Sequence, residues 1–497
     1  MFLFNHKTKF NDLSITTAHE LLMAKKITSV ELTKFFLNRI KKLDKKLNSC
    51  LTVLLREALS QAKLADDRIS KGECGELLGI PYLLKDNILV KGIKTTAASK
   101  MLANYIAPYN ATIVERLKEA GAVLLGKTNL DEFAHGSSTE TSAFGLTRNP
   151  WDLSRVPGGS SGGSASAVSA DFCIFALGSD TGGSIRQPAS FCGLSGFKPS
   201  YGRVSRFGLI AMTSSTDVIG PLTKTAEDSA IVLQTIAGFD KFDLTTKKEL
   251  VPDYLKNIDK DIKGVRIGIV EEFLDLGLEP DVKKGILEAL NIFKSLGAEI
   301  KKISLPYNKY SIPVYYIITP SEVSANLSRL DGLRYGFSFT YKAKGKTEEN
   351  FSEIYKHNRG ESFGPEVKRR IMLGTYALSS GYFDAYYKKA MAVKEKIKQE
   401  YQNIFNEVDV IITPSSAHTA FKIGEQINDN LKMYLEDIFG VGPSLAGLPA
   451  ISIPAGLSQG LPFGLQIIAN KFEEEKVFNL AYNFQKITNF HKQKPKF

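Results

Sequence analysis

Two glycine- and serine-rich segments carry the side chains best suited to chemistry in this 497-residue chain. The first is Gly158-Gly-Ser-Ser-Gly-Gly163, and the second is Asp180-Thr-Gly-Gly-Ser184. Glycines let a backbone approach a ligand closely and point several N–H groups at one atom, which suits an anion or an oxyanion. A serine in such a loop becomes a nucleophile when a base removes its proton. The two segments therefore predict either an anion site or a site of acyl transfer, provided that a base lies nearby.

Lys85 is a candidate for that base, because it ends the apolar run at residues 79–84. Burial disfavours the charged form of a lysine, so burial would lower the pKa of Lys85 and let the amine accept a proton. The alternative is a lysine that extends to solvent along its apolar stem. Taken alone, this stretch favours the alternative.

Three histidines are alternatives to Lys85 as the base. Residues 158–162 also fit the G-x-S-x-G elbow of α/β-hydrolases, with Ser160 as the nucleophile. That fold requires a histidine that follows the nucleophile late in the chain. Only His418 and His491 satisfy this order, and neither lies in a motif that indicates catalysis. His135 lies nearer to the serines, but a loop histidine is more often structural.

Residues 121–128, GAVLLGKT, match the phosphate-binding pattern G-x-x-x-x-G-K-[ST] letter for letter. A P-loop follows its strand, whereas residues 122–125 here have the composition of the strand itself and come after a helix that ends at Gly121. The pattern therefore predicts a buried strand that ends in Gly-Lys-Thr-Asn, and we reject a nucleotide site.

Alternating helices and strands must position these segments. Residues 10–70 are predicted to be helical, and the small residues 165–170 and the apolar residues 172–177 predict a short helix and a buried strand between the two serine loops. Other expected strands are 79–84, 265–270, 298–303, 408–413 and 463–469, with helices at 226–238, 282–296, 321–335 and 364–406. This alternation predicts an α/β protein with a large sheet covered by helices on both faces. With no repeat and no clean linker, we expect one domain over 1–497, with a helical segment at 10–70 and a core at 71–490.

Charge, apolar runs and cysteine spacing argue against several classes of protein. The net charge is +11, but no Lys/Arg block is long enough for a nucleic-acid arm, so solvated lysine-rich faces are favoured and any RNA contact would be indirect. No apolar run reaches membrane-span length, and the first residues do not fit a secretory signal, which predicts a cytoplasmic protein. Four widely spaced cysteines argue against a zinc site and a disulfide framework.

Lys85 together with the two serine loops resembles the amidase signature family over about residues 10–490. Lys85 precedes Ser160 by 75 residues and Ser184 follows it by 24, spacings that suit the family's Ser-cisSer-Lys triad. The resemblance implies a mixed sheet between helices, with Ser184 as nucleophile, Ser160 after a cis peptide bond as proton relay and Lys85 as base. It also implies an oxyanion hole formed by the backbone N–H groups of Thr181, Gly182, Gly183 and Ser184.

Within that family, four further stretches are similar to the glutamine-hydrolysing A subunits of tRNA-dependent amidotransferases. They are FAHGSSTETSAFG, KPSYGRVSRFGLIAMTSSTDVIGPLTKT, EVKRRIMLGTYALSSGYFDAYYKKA and SLAGLPAISIPAG. This resemblance implies that Arg370 clamps the α-carboxylate of glutamine, with Arg369 as the alternative, while Asp437 holds the α-ammonium. Tyr315 is expected to contact the substrate.

The same resemblance implies a heterotrimer with B and C subunits. Ammonia would pass to the B subunit, which uses ATP and Mg²⁺ to amidate misacylated Glu-tRNA(Gln) or Asp-tRNA(Asn), and this chain would hold no cofactor or metal itself. The rivals are a free-standing amidase acting on another amide and an inactive scaffold protein. The charged loop at residues 342–350 and a short N-terminal extension depart from the family pattern.

Overall fold

The structure is a computed structural model that describes residues 10–338 and 351–497, so the predicted charged loop at 342–350 lies outside the described residues. The strands are β1 Cys50–Val53, β2 Pro81–Lys85, β3 Val123–Thr128, β4 Phe175–Asp180, β5 Ser195–Lys198, β6 Val218–Thr223, β7 Arg266–Val270, β8 Glu299–Ile303, β9 Val410–Pro414, β10 Ala450–Ser458 and β11 Leu461–Ala469. The α-helices are α1 Ile15–Met23, α2 Ser29–Leu47, α3 Leu55–Ser70, α4 Thr112–Glu119, α5 Gly162–Ser169, α6 Arg186–Cys192, α7 Ala226–Ile236, α8 Glu271–Leu274, α9 Pro280–Ser295, α10 Ser311–Leu327, α11 Phe351–Ser362, α12 Pro365–Leu378, α13 Lys389–Ile404, α14 Asn430–Leu435, α15 Val441–Ala446 and α16 Glu474–Ile487.

Within the described residues, the strands form one 11-stranded sheet in the order β1-β3-β2-β4-β6-β5-β10-β11-β9-β7-β8. The sheet is mixed: β2 runs parallel to β3 and β4, and β7 runs parallel to β8 and β9. The central pairs β4–β6, β6–β5, β5–β10, β10–β11 and β11–β9 are antiparallel. The two short parallel groups therefore flank an antiparallel centre, and β1 pairs antiparallel with β3 at one edge of the sheet.

Apolar side chains cover both faces of this sheet. Successive side chains of a strand point to opposite faces. In β9, Val410 and Ile412 belong to the main apolar cluster, whereas Ile411 belongs to a second cluster that includes Ile318 and Ile397 from α10 and α13. The predicted α/β fold, a large mixed sheet between layers of helices, is confirmed.

The structure corrects several predicted boundaries. The strand expected at 172–177 is Phe175–Asp180. Its extent follows from strand pairing, since 175–177 pair with β2 and 176–180 pair with β6. The segment 10–70 is not wholly helical, since Cys50–Val53 pairs antiparallel with β3. The helix expected at 321–335 begins at Ser311 and ends at Leu327, so the prediction omitted its first half. Strand β10 was also not predicted, and its polar Ser452 lies buried against β11.

Candidate active site

Lys85 is placed by the parallel pairing of β2 and β4. Parallel strands end at the same edge of a sheet, and Lys85 is the last residue of β2, with Leu84 opposite Leu177 of β4. Its Nζ lies 2.7 Å from Ser160 Oγ, 2.8 Å from Ser161 Oγ and 3.0 Å from Ser179 Oγ. The structure therefore brings the predicted base and the predicted relay serine into direct contact.

Burial sets the protonation of Lys85. The side chain is fully buried, and desolvation lowers its pKa to about 7, against the opposing charges of Asp131, Asp180 and Asp217. No carboxylate contacts Nζ among the described residues; its neighbours are hydroxyl groups and the Ser179 carbonyl. Much of Lys85 is consequently neutral near pH 7, as a proton acceptor must be.

The loop that carries Ser160 is held by its backbone. The Gly159–Ser160 peptide bond is cis. The Gly159 N–H donates to Gln187 Oε1 at 3.0 Å, and the Asp131 N–H donates to the Ser160 carbonyl at 3.2 Å. A Cβ atom on Gly159 would lie 2.2 Å from Asp131 Oδ2, so glycine is required there for steric reasons.

Ser184 lies in the turn between β4 and α6. Arg186 closes this turn, because its Nε and Nη2 donate to the two oxygens of Asp180 at 3.0 and 2.9 Å. The Ser161 N–H donates to the Ser184 carbonyl at 3.1 Å and so joins the two serine loops. Thr181 Oγ1 donates to Asp217 Oδ1 at 2.6 Å, which fixes the start of the predicted oxyanion loop.

The two arginines proposed for the substrate carboxylate have different surroundings. Arg370 is 3% exposed, and its Nε donates to Glu366 Oε1 at 2.8 Å. Its Nη1 and Nη2 make no hydrogen bond to any residue in ranges 10–338 and 351–497. Arg369 is more exposed, and its Nη1 contacts the same glutamate. Two free guanidinium nitrogens on a buried side chain fit a carboxylate ligand, so the geometry favours Arg370.

Asp437 lies close to Arg370 through a shared tyrosine. Asp437 Oδ2 accepts from Tyr316 Oη at 2.8 Å, and its Oδ1 accepts from Ser137 Oγ at 3.1 Å. The guanidinium carbon of Arg370 lies 5.2 Å from the centre of the Tyr316 ring. Burial raises the pKa of Asp437 to about 6, opposed mainly by its hydrogen bond from Tyr316 and by the charge of Arg370.

Tyr315 has a different position from its neighbour Tyr316. The Tyr315 ring packs against Gly182 of the second serine loop, where an added Cβ would lie 2.8 Å from its Cζ and Oη atoms. A Cβ on Gly183 would lie 3.8 Å from Asp437 Oδ1, so the ammonium candidate borders the same loop. Tyr315 thus remains a predicted substrate contact.

Sequence reasoning missed three residues of this cluster: Glu366, Tyr316 and Ser137. Glu366 precedes Arg370 by four residues on a predicted helix, a spacing that signals an ion pair. Nothing in the local sequence distinguishes Tyr316 or Ser137 from other polar residues. Beside the cluster is a cavity of about 390 Å³ whose lining includes Glu132, Ser138, Glu366, Arg369, Arg370 and Tyr434.

The lysine of the P-loop-like segment is bound inside the protein. Gly126, Lys127 and Thr128 belong to β3. Lys127 Nζ donates to Asp86 Oδ1 at 2.9 Å and to the Ile88 carbonyl at 2.8 Å. The backbone is therefore a strand, as predicted, and the lysine is already paired.

Among the described residues, no hydrogen bond joins the side chain of His135, His418 or His491 to a serine of the two glycine-rich loops. His135 is buried, its Nδ1 lies 3.1 Å from the Glu132 carbonyl, and burial holds its pKa well below the usual range. His418 pairs with Glu436, and burial lowers the pKa of His491 to about 4. Among the hydrogen bonds of the described chain, the side chain in contact with Ser160 Oγ is Lys85.

The part of the chain that the structure describes contains neither a group of metal-ligand side chains nor a membrane-spanning helix. It contains no group of three or more His, Cys, Asp or Glu side chains placed to hold a metal ion, and all four cysteines are free. None of the helices in ranges 10–338 and 351–497 is long and apolar enough to cross a membrane.

Comparison with known proteins agrees with this geometry. The amidase family profile matches residues 31–478. The A subunit of glutamyl-tRNA(Gln) amidotransferase from Caldanaerobacter subterraneus subsp. tengcongensis is 56% identical over 478 residues, covering 96% of this chain and 97% of that protein. The corresponding A subunit from Geobacillus thermodenitrificans is 51% identical over 485 residues, covering 97% and 99%.

Comparison with solved structures indicates the same family. The crystal structure of the glutamyl-tRNA(Gln) amidotransferase A subunit from Thermotoga maritima has a TM-score of 0.80 and 43% identity, with 97% of this chain and 96% of that chain covered. The native peptide amidase from Stenotrophomonas maltophilia has a TM-score of 0.82 and 28% identity, covering 98% and 99%. The chain therefore belongs to the amidase signature family, as its lysine and glycine-serine motifs predict.

Proposed function

We propose that this chain is the A subunit of a glutamyl-tRNA(Gln) amidotransferase, which hydrolyses glutamine and supplies ammonia to its partners. The observation that carries the proposal is the buried Lys85 amine, 2.7 Å from Ser160 Oγ and with its pKa lowered to about 7. The identity of 56% and 51% to curated A subunits, over nearly the whole of each chain, supports this particular substrate and assembly.

In the proposed reaction, Ser184 Oγ attacks the side-chain carbonyl carbon of glutamine. Ser184 gives its proton to Ser160, which gives its own to neutral Lys85. Backbone N–H groups of Thr181, Gly182, Gly183 and Ser184 stabilise the oxyanion, and glycine leaves room for the substrate there. The C–N bond then breaks, and the proton returns from Lys85 through Ser160 to the leaving ammonia. Water next attacks the glutamyl ester and gives a proton through Ser160 to Lys85. The ester C–O bond then breaks, the proton returns through Ser160 to Ser184 Oγ, and glutamate is released.

In this proposal, Arg370 and Asp437 determine which substrate binds. Arg370 would bind the α-carboxylate with its two free nitrogens, and Asp437 would bind the α-ammonium, with Tyr315 lining the site. Below about pH 6 the protonation of Asp437 would remove its charge and weaken the binding of glutamine. An apolar amide would gain nothing from either charge, which argues for an amino-acid substrate.

The rest of the reaction belongs to partner subunits. Ammonia would reach a B subunit, where ATP and Mg²⁺ activate Glu-tRNA(Gln), and a C subunit would complete a cytoplasmic heterotrimer. Asp-tRNA(Asn) is the alternative acceptor. This chain itself would need no cofactor or metal.

The test is ammonia release from glutamine by the chain co-purified with B- and C-type partners, with and without each misacylated tRNA. Wild type should release ammonia, and Ser184→Ala should not. An electrophilic glutamine analogue should add its mass to the wild-type chain and leave Ser184→Ala unmodified. Absence of both ammonia and adduct in the wild-type complex would favour an inactive scaffold protein.

A free-standing amidase is the second candidate, favoured by the likeness to the peptide amidase of Stenotrophomonas maltophilia. It predicts hydrolysis of simple amides by the chain without partners. It also predicts that Arg370→Ala leaves the rate unchanged, because a simple amide lacks the α-carboxylate.

A further inference from the structure

His418 lies outside the residues assigned to the reaction, in the segment that follows β9. Its Nε2 lies 2.8 Å from Glu436 Oε1, and its Nδ1 lies 2.8 Å from the Thr419 carbonyl oxygen. Both partners are acceptors, and a neutral imidazole carries a single N–H. With Glu436 ionised, only the imidazolium donates to both at once, so the geometry favours His418 as a cation.

The surroundings of His418 are consistent with this charge. Its ring centre lies 5.9 Å from that of Phe191 and 6.1 Å from that of Phe421. Three carboxylates act on it electrostatically: Glu436 by direct contact, and Glu279 and Glu425 at longer range. Burial lowers the pKa of His418, but the hydrogen bonds to Glu436 and Thr419 and the charges of Glu436 and Glu279 outweigh burial and raise it to about 9.

Glu436 connects His418 to the serine loops through Gln187. Glu436 Oε2 accepts from Gln187 Nε2 at 3.5 Å. The same glutamine accepts from the Gly159 N–H with its Oε1, at 3.0 Å, and its backbone N–H donates to the Gly183 carbonyl at 2.9 Å. Gly159 directly precedes Ser160, and Gly183 directly precedes Ser184. One residue, itself 3% exposed, therefore contacts the backbone beside both serines.

Glu436 also directly precedes the proposed ammonium ligand, Asp437. The Glu436 side chain is nearly buried, so His418 compensates a carboxylate that water does not fully solvate. Removing the charge of His418 would leave Glu436 without its cation and free the 436–437 segment to move.

We propose that the His418–Glu436 ion pair is a positioning element that holds the serine loops and Asp437 in their catalytic arrangement. This inference rests on the proposed function. Among the described residues, no hydrogen bond joins His418 or Glu436 to Lys85, Ser160 or Ser184. They act through Gln187 on the backbone at Gly159 and Gly183, and through the chain on Asp437.

The test compares wild type, His418→Gln, His418→Arg and His357→Gln, each as the full chain with its partner subunits. The measurement is kcat and KM for ammonia release from glutamine across pH. His357 is exposed on α11, which makes His357→Gln the matched control. At neutral pH, His418→Gln should lose roughly 10- to 100-fold in kcat/KM, the cost of small displacements of reacting groups. The control should equal wild type.

The pH profile separates positioning from general destabilisation. Wild-type kcat at saturating glutamine should fall as the pH rises through about 9, where His418 loses its proton. His418→Arg keeps the charge and titrates only above about 12, so its kcat should persist at that pH. The α-ammonium of glutamine also titrates in this pH range, but it does so equally for wild type and every variant. It therefore does not affect the difference between their pH profiles.

Two results for the His418 variants would overturn this proposal alone. A folded His418→Gln variant with wild-type kcat, KM and alkaline limb would show that the ion pair positions nothing. If His418→Gln does not fold, His418→Arg provides the test. The proposal is then wrong if the kcat of His418→Arg falls at high pH in the same way as that of wild type. A wild-type complex that releases no ammonia at any pH would instead refute the proposed function, and this inference with it.

Discussion

Lys85 Nζ and Ser160 Oγ lie 2.7 Å apart, although 75 residues separate them in the chain. The contact exists because β2 and β4 are parallel neighbours and the glycine-rich loop before α5 folds over their carboxyl ends. A buried amine with three hydroxyl neighbours can take a serine proton without competing with a carboxylate for it. This pair is therefore the proposed chemical centre of the site.

Replacing Lys85 should abolish most of the activity. Lys85→Met keeps a long apolar stem but removes the proton acceptor, so kcat for ammonia release from glutamine should fall by about 10²- to 10⁴-fold, the usual contribution of a general base. Lys91→Met, at an exposed position six residues on, is the control and should be unchanged. Near-wild-type kcat in a folded Lys85→Met variant would exclude Lys85 as the base.

The rate should depend on pH through the amine of Lys85. Only the neutral amine accepts a proton, so kcat/KM should rise with pH through the pKa of Lys85, about 7, and then level off until about pH 9, where His418 loses its proton. The measurement is the initial rate of glutamine hydrolysis in overlapping buffers. Protonation of Asp437, with its pKa of about 6, should steepen the decline on the acid side. A rate independent of pH from about 6 to about 8 would contradict a lysine base.

Arg370 and Arg369 share Glu366 but should differ in kinetic effect. Arg370→Ala removes the two guanidinium nitrogens proposed for the α-carboxylate, so KM for glutamine should rise about 10- to 100-fold, equivalent to about 1.5–3 kcal/mol for a charged hydrogen bond. Arg369→Ala removes only the more exposed partner of Glu366 and should leave KM within about twofold. The reverse order of effects would transfer the clamp to Arg369.

Lys127 should matter for stability rather than for nucleotide binding. Lys127→Met would leave the buried Asp86 carboxylate without its cation, which should lower the free energy of unfolding by about 3–5 kcal/mol. The double variant Lys127→Met/Asp86→Asn should recover part of this loss, since neither charge is then left unpaired. Urea unfolding followed by circular dichroism measures both. A P-loop would instead predict lost ATP binding at unchanged stability.

Local sequence patterns were enough to predict much of this fold. The strand that ends at Lys85, the rejection of the P-loop and the α/β class follow from apolar runs, helix ends and alternation, which depend on residues close together in the chain. The first and last residues of the helices and strands were predicted less well. The strand at Phe175–Asp180 was expected three residues early, because its ends depend on pairing with β2 and β6 rather than on its own apolar run.

The sequence by itself indicated which residue types could do chemistry, namely a lysine at the end of a strand and two serines in glycine loops, while the arginine and the aspartate were predicted from the family resemblance. Only the tertiary structure decided how they meet. It shows that Lys85 is fully buried, that the Arg370 side chain is buried whereas that of Arg369 is partly exposed, and that Tyr316 holds Asp437. The reason is physical, since burial and hydrogen-bond partners come from residues far away in the chain, and these set both the pKa and the orientation of each group.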